Sequence, residues 1–224
     1  MKILPRCVFP LLIAVLPVAC STNSQVADFA KNDLFYTDVP FQTKAPGDRV
    51  VFVAPLADAR DGAQLPQAER GFPITYVGDD FWERPVAEMM GEVLQRQLAS
   101  SGLFAAVEDH AVPNGLVIKP TLVSFLGGAT EAISGASSFA DVGVRVQVLG
   151  PAAGDGKRVL LLDRVYGNRQ VSPNEINPVS PYRLVGRAMQ LAMTKLLTGL
   201  DGSNVARSDV PLDAVPAEAS ARAR

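Results

Sequence analysis

The stretch Phe139–Leu149 constrains the fold more than any other, because Val142, Val144, Val146 and Val148 alternate there with Gly143, Arg145 and Gln147. A period of two places the valines on one face of a strand and the polar residues on the other. One buried and one wet face predict an antiparallel sheet. Gly150–Gly156 (GPAAGDG) supplies a hairpin connection, and Arg158–Val171 returns as the partner strand through Val159, Leu160, Leu161, Leu162, Val165 and Tyr166. The apolar face needs a cover. Val86, Met89, Met90, Val93, Leu94 and Leu98, at offsets 0, 3, 4, 7, 8 and 12, line one face of a helix. Arg84–Glu88 and Glu92–Arg96 are spaced to pair at i,i+4 on its other face. Pro85 fits only the first turn, which predicts a start near Glu83, and Gly102 stops the helix.

A second helix is predicted from Ser180 as N-cap and Pro181 at the first helical position, with Leu184, Ala188, Leu191, Ala192 and Leu196 repeating down to Gly199. Further strands are expected at Val50–Leu56, Phe72–Val77, Leu103–Glu108 and Gly115–Leu126, with Pro120 marking an edge or bulge. The order predicts a two-layer α+β domain: a mostly antiparallel sheet with both helices packed on one face. Its bounds are expected at 49–200. Residues 20–48 read as a tether that begins to touch the domain at Phe35, Tyr36 and Phe41, and 201–224 as a disordered tail. Gly127–Ser138 (GGATEAISGASS) reads as a long, small-residue loop, either a passive hairpin connection or one that docks a partner or a lipid, to which Leu126 and Ile133 offer apolar contact.

The N-terminus has a different character. Lys2 and Arg6 precede the apolar run Cys7–Ala19, the layout of a secretory signal over residues 1–19. That run holds Pro10 and Pro17 and is shorter than the ~20 residues a membrane-spanning helix needs. Leu16, Pro17, Val18 and Ala19 before Cys20 resemble the bacterial lipobox, in which the cysteine takes a diacylglycerol. An ordinary cleaved signal that leaves Cys20 as a free thiol is the alternative. Cys7 would leave with the signal, so Cys20 would be the one cysteine of the mature chain, and acylation accounts for it better than an unpaired thiol in an oxidising compartment. Such an anchor attaches a domain to a membrane without spanning it. By resemblance to proteobacterial sorting rules, Ser21 in place of an aspartate implies the periplasmic face of the outer membrane.

Catalytic signatures are missing from the sequence. His110, the single histidine, follows Glu108 and Asp109 in a polar turn, and neither a Gly-x-Ser-x-Gly elbow nor a cysteine nucleophile accompanies it. Asp58, Arg60 and Asp61 fall short of a calcium loop, and no phosphate-binding loop is present, so no cofactor, metal or enzymatic activity is expected. Without Lys2 and Arg6 the chain carries 19 basic and 23 acidic side chains, a net charge of −4 that disfavours nucleic acid as a partner.

Tyr76–Val107 resembles the central segment of the ABC-type transport auxiliary lipoproteins, the PqiC-like family. There, a tyrosine-containing strand leads to Trp-x-x-Pro at a helix start, then to an amphipathic helix ending in Ser-Gly-Leu-Phe and a strand. Tyr76, Trp82, Pro85, Ser101, Gly102, Phe104 and Val107 stand at those places. The resemblance extends loosely over residues 48–200. It implies a non-catalytic accessory subunit that attaches an envelope lipid-transport assembly, built on MCE proteins and an ABC transporter, to the outer membrane. Trp82 and Pro85 either seat the helix on the sheet or meet a partner directly. A looser resemblance, to TolB-like, curli-secretion and cell-wall assembly lipoproteins, implies instead a role in protein–protein assembly.

Overall fold

The computed structural model describes residues 28–31, 33–60, 74–75, 82–132, 135–172 and 180–209. The elements run β1 (Val50–Val53), β2 (Ala57–Asp58), β3 (Ile74–Thr75), α1 (Val86–Ser100), β4 (Ala106–Glu108), β5 (Leu116–Ala132), β6 (Gly135–Ala152), β7 (Arg158–Val171) and α2 (Pro181–Ser203). One sheet takes the path β4-β1-β5-β6-β7, with β2 and β3 also pairing with β5. This is a two-layer α+β domain, both helices sharing one core with the sheet.

The long strands β5, β6 and β7 are antiparallel neighbours, whereas β1 is parallel to both β4 and β5. On β6 the alternation works as expected: Val142, Val144, Val146 and Val148 are at most 2% exposed. On the opposite face Arg145 donates to both carboxylate oxygens of Asp163 on β7, at 2.7 and 2.6 Å, and Gln147 Nε2 adds a third bond at 2.9 Å. Pro120 lies in a central strand, not at an edge. Its neighbours Ile118 and Leu122 accept from Ala54 and Ala59, so its side of β5 faces the break between β1 and β2, where a missing N–H leaves no ladder bond unmade.

Every residue of the predicted α1 stripe is buried. The helix begins at Val86 rather than near Glu83, because Pro85 is its extended N-cap (φ −49°, ψ 130°). Gly102, at φ +69°, takes the left-handed conformation that ends it. In α2 the buried stripe contains Leu184, Ala188, Ala192 and Leu196, but Leu191 turns outward at 42% exposure. The helix continues past Gly199, where a Cβ would come within 2.5 Å of the Tyr166 ring, so that glycine is a packing contact and not a stop.

Three segments depart from expectation. Of Gly127–Ser138, read as a loop, residues 127–132 and 135–138 are strand: β5 and β6 pair continuously from Gly127↔Ala140 to Ala132↔Gly135, and residues 133 and 134 lie outside the described ones. Ladder hydrogen bonds use backbone groups that small residues possess as fully as large ones, so the lack of a side-chain pattern concealed them. Residues 201–209, read as part of a disordered tail, include the end of α2 and a turn in which Val205 and Ala206 are buried; residues 210–224 lie outside the described ones. From Asp28 on, the stretch read as a tether is instead part of the domain, with Phe29 at 1% and Tyr36 at 2% exposure.

Candidate functional site

The segment Asp28–Asp48 follows both helices from their N-terminal to their C-terminal ends. Near its start, Phe29 stacks on Phe125 of β5 with ring centroids 5.7 Å apart and meets Trp82 edge-on at 5.1 Å. Phe35 reaches Trp82 and Tyr182, at 6.2 and 5.7 Å. Its carbonyl approaches Gly186 of α2 so closely that a Cβ there would lie 1.8 Å from the oxygen. Further along, Gln190 Nε2 donates to Thr37 O at 3.0 Å, and Val39 N donates to Gln97 Oε1 at 2.9 Å. Thr43 closes the segment onto both helix ends: its N–H bonds Ser101 O at 3.1 Å and its hydroxyl Asp201 Oδ1 at 2.6 Å.

Arg84 and Arg96 make the ionic attachments. Arg84 Nε donates to Asp28 Oδ2 at 2.9 Å while its other nitrogens hold Glu92 at 2.5 and 2.8 Å. Burial pushes the Asp28 carboxyl up, but the bonds from Arg84, the Ala30 N–H and Lys31 outweigh it and leave the group below its ordinary value. Arg84 in turn holds Glu92 low, chiefly by hydrogen bonding, and is itself more firmly charged than a free arginine. Arg96 spans Asp38 with two bonds of 2.8 Å and donates a third to Ala30 O at 2.8 Å. The expected i,i+4 partners on α1 are thus replaced, in the contacts described, by Asp28, Asp38 and the i+8 residue Glu92.

The predicted contact residues fall in different places. Trp82 is 4% exposed, packed against Phe29, Phe35, Phe125 and Tyr182, and its Nε1–H has no hydrogen-bond partner among the described residues. Its ring seats α1 and the N-terminal segment on the sheet and offers a partner almost no surface. Pro85 is exposed beside it, and Leu126 is half-buried on β5, one residue beyond Phe125. Cys20 and Ile133 lie outside the described residues. The structure therefore brings Trp82 and Pro85 close to the base of the β5–β6 hairpin. It also adds Asp28, Asp38 and Gln97, which the sequence did not single out. Gln97 carried a signal: at offset 11 from Val86 it falls inside the apolar stripe, and a polar residue there, 2% exposed, needs a partner.

The arrangement holds the N-terminal segment to the domain by apolar contact, hydrogen bonds and ion pairs. Among the described residues no cluster of histidine, cysteine, aspartate or glutamate could hold a metal ion, and no helix is long and apolar enough to cross a membrane. His110 is solvent-exposed and touches only its neighbour Asp109 among the ion pairs, which raises its affinity for a proton.

What the fold and site define is a two-layer α+β domain with its N-terminal segment packed along both helices. No family model matches the chain, and no curated protein matches it either. Solved structures do. A hypothetical protein from Chlamydia trachomatis is 14% identical, with 71% of this chain and 99% of that one covered and a TM-score of 0.43. A Xanthomonas campestris protein of the family DUF330 is 13% identical over 75% and 91% of the two chains, at 0.45. A homolog of a neuraminyllactose-binding hemagglutinin from Helicobacter pylori is 8% identical over 74% and 90%, at 0.40.

Proposed function

We propose that this protein is a lipid-anchored, non-catalytic envelope protein, acylated at Cys20 and exposed on the periplasmic face of the outer membrane, that serves as an accessory subunit of an MCE/ABC-type lipid-transport assembly. The observation that carries the reading is the continuity between anchor and domain. A signal and lipobox-like sequence ends at Cys20, and eight residues later the chain is already buried at Asp28. The residues behind the family resemblance also have definite tasks in the fold: Trp82 and Pro85 open α1, Ser101 and Gly102 close it, and Phe104 is 7% exposed against the core.

The test joins anchoring to function. In cells lacking the protein, the wild-type chain should take up labelled palmitate, fractionate with the outer membrane and restore the permeability barrier. Cys20→Ser should do none of these, since the acyl chains supply the membrane affinity, ~0.8 kcal/mol per buried CH₂. Crosslinking from Pro85 should capture an MCE protein. Equal palmitate labelling of the two forms would contradict the anchor, and capture of a secretion or cell-wall component instead would contradict the transport role.

A further inference from the structure

The short distance between Cys20 and Asp28 dictates which end of the domain lies against the membrane. A fully extended chain spans at most ~3.6 Å per residue, so an anchor eight residues away holds Asp28 within about 29 Å of the lipid. Asp28 has no freedom of its own, being 4% exposed and bonded to Arg84. Packed around it are Phe29, Trp82 and Phe125, with Tyr182 at the start of α2, so both helix N-termini and the base of the β5–β6 hairpin share this end. Leu34 also lies here, at 72% the most exposed large apolar side chain among the described residues, and Val171 ends β7 on the same side at 59%. Leu34 and Val171 are the large apolar side chains that this end turns to solvent.

We propose that this end is the membrane-facing surface of the protein, with the β5–β6 arm, which runs seven residues past Phe125 to Ala132, about 23 Å of strand, directed toward the bilayer. The inference rests on the proposed acylation of Cys20. The exposed charges nearby, Lys31, Arg169 and Arg183 against Asp33 and Glu83, nearly balance, so the short anchor holds the orientation and salt does not release it. The turn at residues 153–157 is the distal pole. From Val142, the partner of Phe125, β6 runs ten residues to Ala152, about 33 Å of strand.

Trp82, the chain's single tryptophan, is a native reporter for this end. The mature chain, beginning at Cys20, is coupled through that thiol to maleimide-bearing lipid in phosphatidylcholine vesicles containing dansyl lipid. Energy transfer from Trp82 to dansyl is compared with transfer from a distal tryptophan in the Trp82→Phe/Asp155→Trp variant. With about 33 Å of strand between the levels, transfer from Trp82 should exceed that from position 155 by at least ~threefold. It should persist in 1 M NaCl. Inserting twenty Gly/Ser residues between Ser21 and Thr22 keeps the native Trp82 and domain but should lower its transfer by a similar factor, because a flexible linker lets the domain turn away. Equal transfer from the two positions, or no change on insertion, would overturn the proposal. The coupling is chemical, so failure of palmitate labelling in cells would count against the anchor itself and not against this orientation.

Discussion

Asp28–Asp48 and the hairpin arm Gly127–Ser138 both lack a hydrophobic period, and both are ordered, but by different means. The first is fastened by side chains from elsewhere in the chain: Arg84 to Asp28, Arg96 to Asp38 and Ala30 O, Gln97 to Val39, with Phe29 and Tyr36 sunk into the core. The second is fastened by its own backbone, strand against strand. Periodicity reports which face of a regular element is buried and is silent about both situations. A segment attached at scattered points depends on a few residues, whereas a paired strand is indifferent to most of them.

The largest effect should come from the platform beneath the N-terminal segment. Met90 is 1% exposed in the α1 stripe, and Met90→Asp would bury an unpaired carboxylate at a cost of several kcal/mol, comparable to the whole stability of a domain. Circular dichroism should show no cooperative melt. A variant melting within a few degrees of wild type would mean that the stripe is not core.

Next comes Gly186→Ala, which favours α2 by ~1 kcal/mol of helix propensity but sets a methyl group against the Phe35 carbonyl. The clash should prevail at ~1–3 kcal/mol and displace the segment, leaving the helices intact. Protease cleavage between Lys31 and Lys44 should accelerate while the far-ultraviolet spectrum holds. An unchanged cleavage rate would mean that the segment is elsewhere in solution.

The two arginines should differ. Arg84→Ala leaves the 4% exposed Asp28 with only the Ala30 N–H and Lys31 and should cost ~2 kcal/mol. Arg96→Ala breaks a pair whose partners are 43% and 38% exposed and should cost at most ~1 kcal/mol. The pH dependence follows from Asp28. Its folded carboxyl titrates below the ordinary value, so its contribution is complete at neutral pH and is lost as pH falls through the lowered folded value. Acid should therefore loosen the segment in wild type and have a smaller effect in Asp28→Asn. Identical acid responses of the two chains would remove Asp28 from this role.

The smallest effect belongs to the arm. Replacing Thr130–Ser137 with Asn-Gly deletes paired backbone and reconnects the strands by a turn suited to a hairpin, so stability should change by about 1 kcal/mol or less. A loss as large as that from Arg84→Ala would show that the arm is held by more than its ladder.

The parts that repeat were legible in the sequence. The α1 stripe, the β6 valines and the turn after Gly150 stood out because each is a periodic or punctuated pattern with one buried face. The parallel pairing of β1 with β4 and β5 was not, since a short strand such as Val50–Val53 does not declare its direction. Nor did the charged positions of α1 name their partners. Arg84 and Arg96 have plausible neighbours four residues away, but acidic groups on the N-terminal segment take them because Asp28 is shielded from water and gains more from the contact. Of the contact residues the sequence offered, Trp82 proved to be core and Pro85 surface, a distinction that the Trp-x-x-Pro spacing does not contain.

The central claim is that the chain from Asp28 onward is part of the folded domain, and native-state hydrogen exchange of residues 20–224 at neutral pH tests it most directly. The amides of Val39, Thr43 and Gly47 donate to Gln97 Oε1, Ser101 O and Leu103 O. They should exchange orders of magnitude more slowly than an unstructured chain and lose protection together in Arg84→Ala. Exchange at unstructured-chain rates at all three, with α1 still protected, would contradict the account.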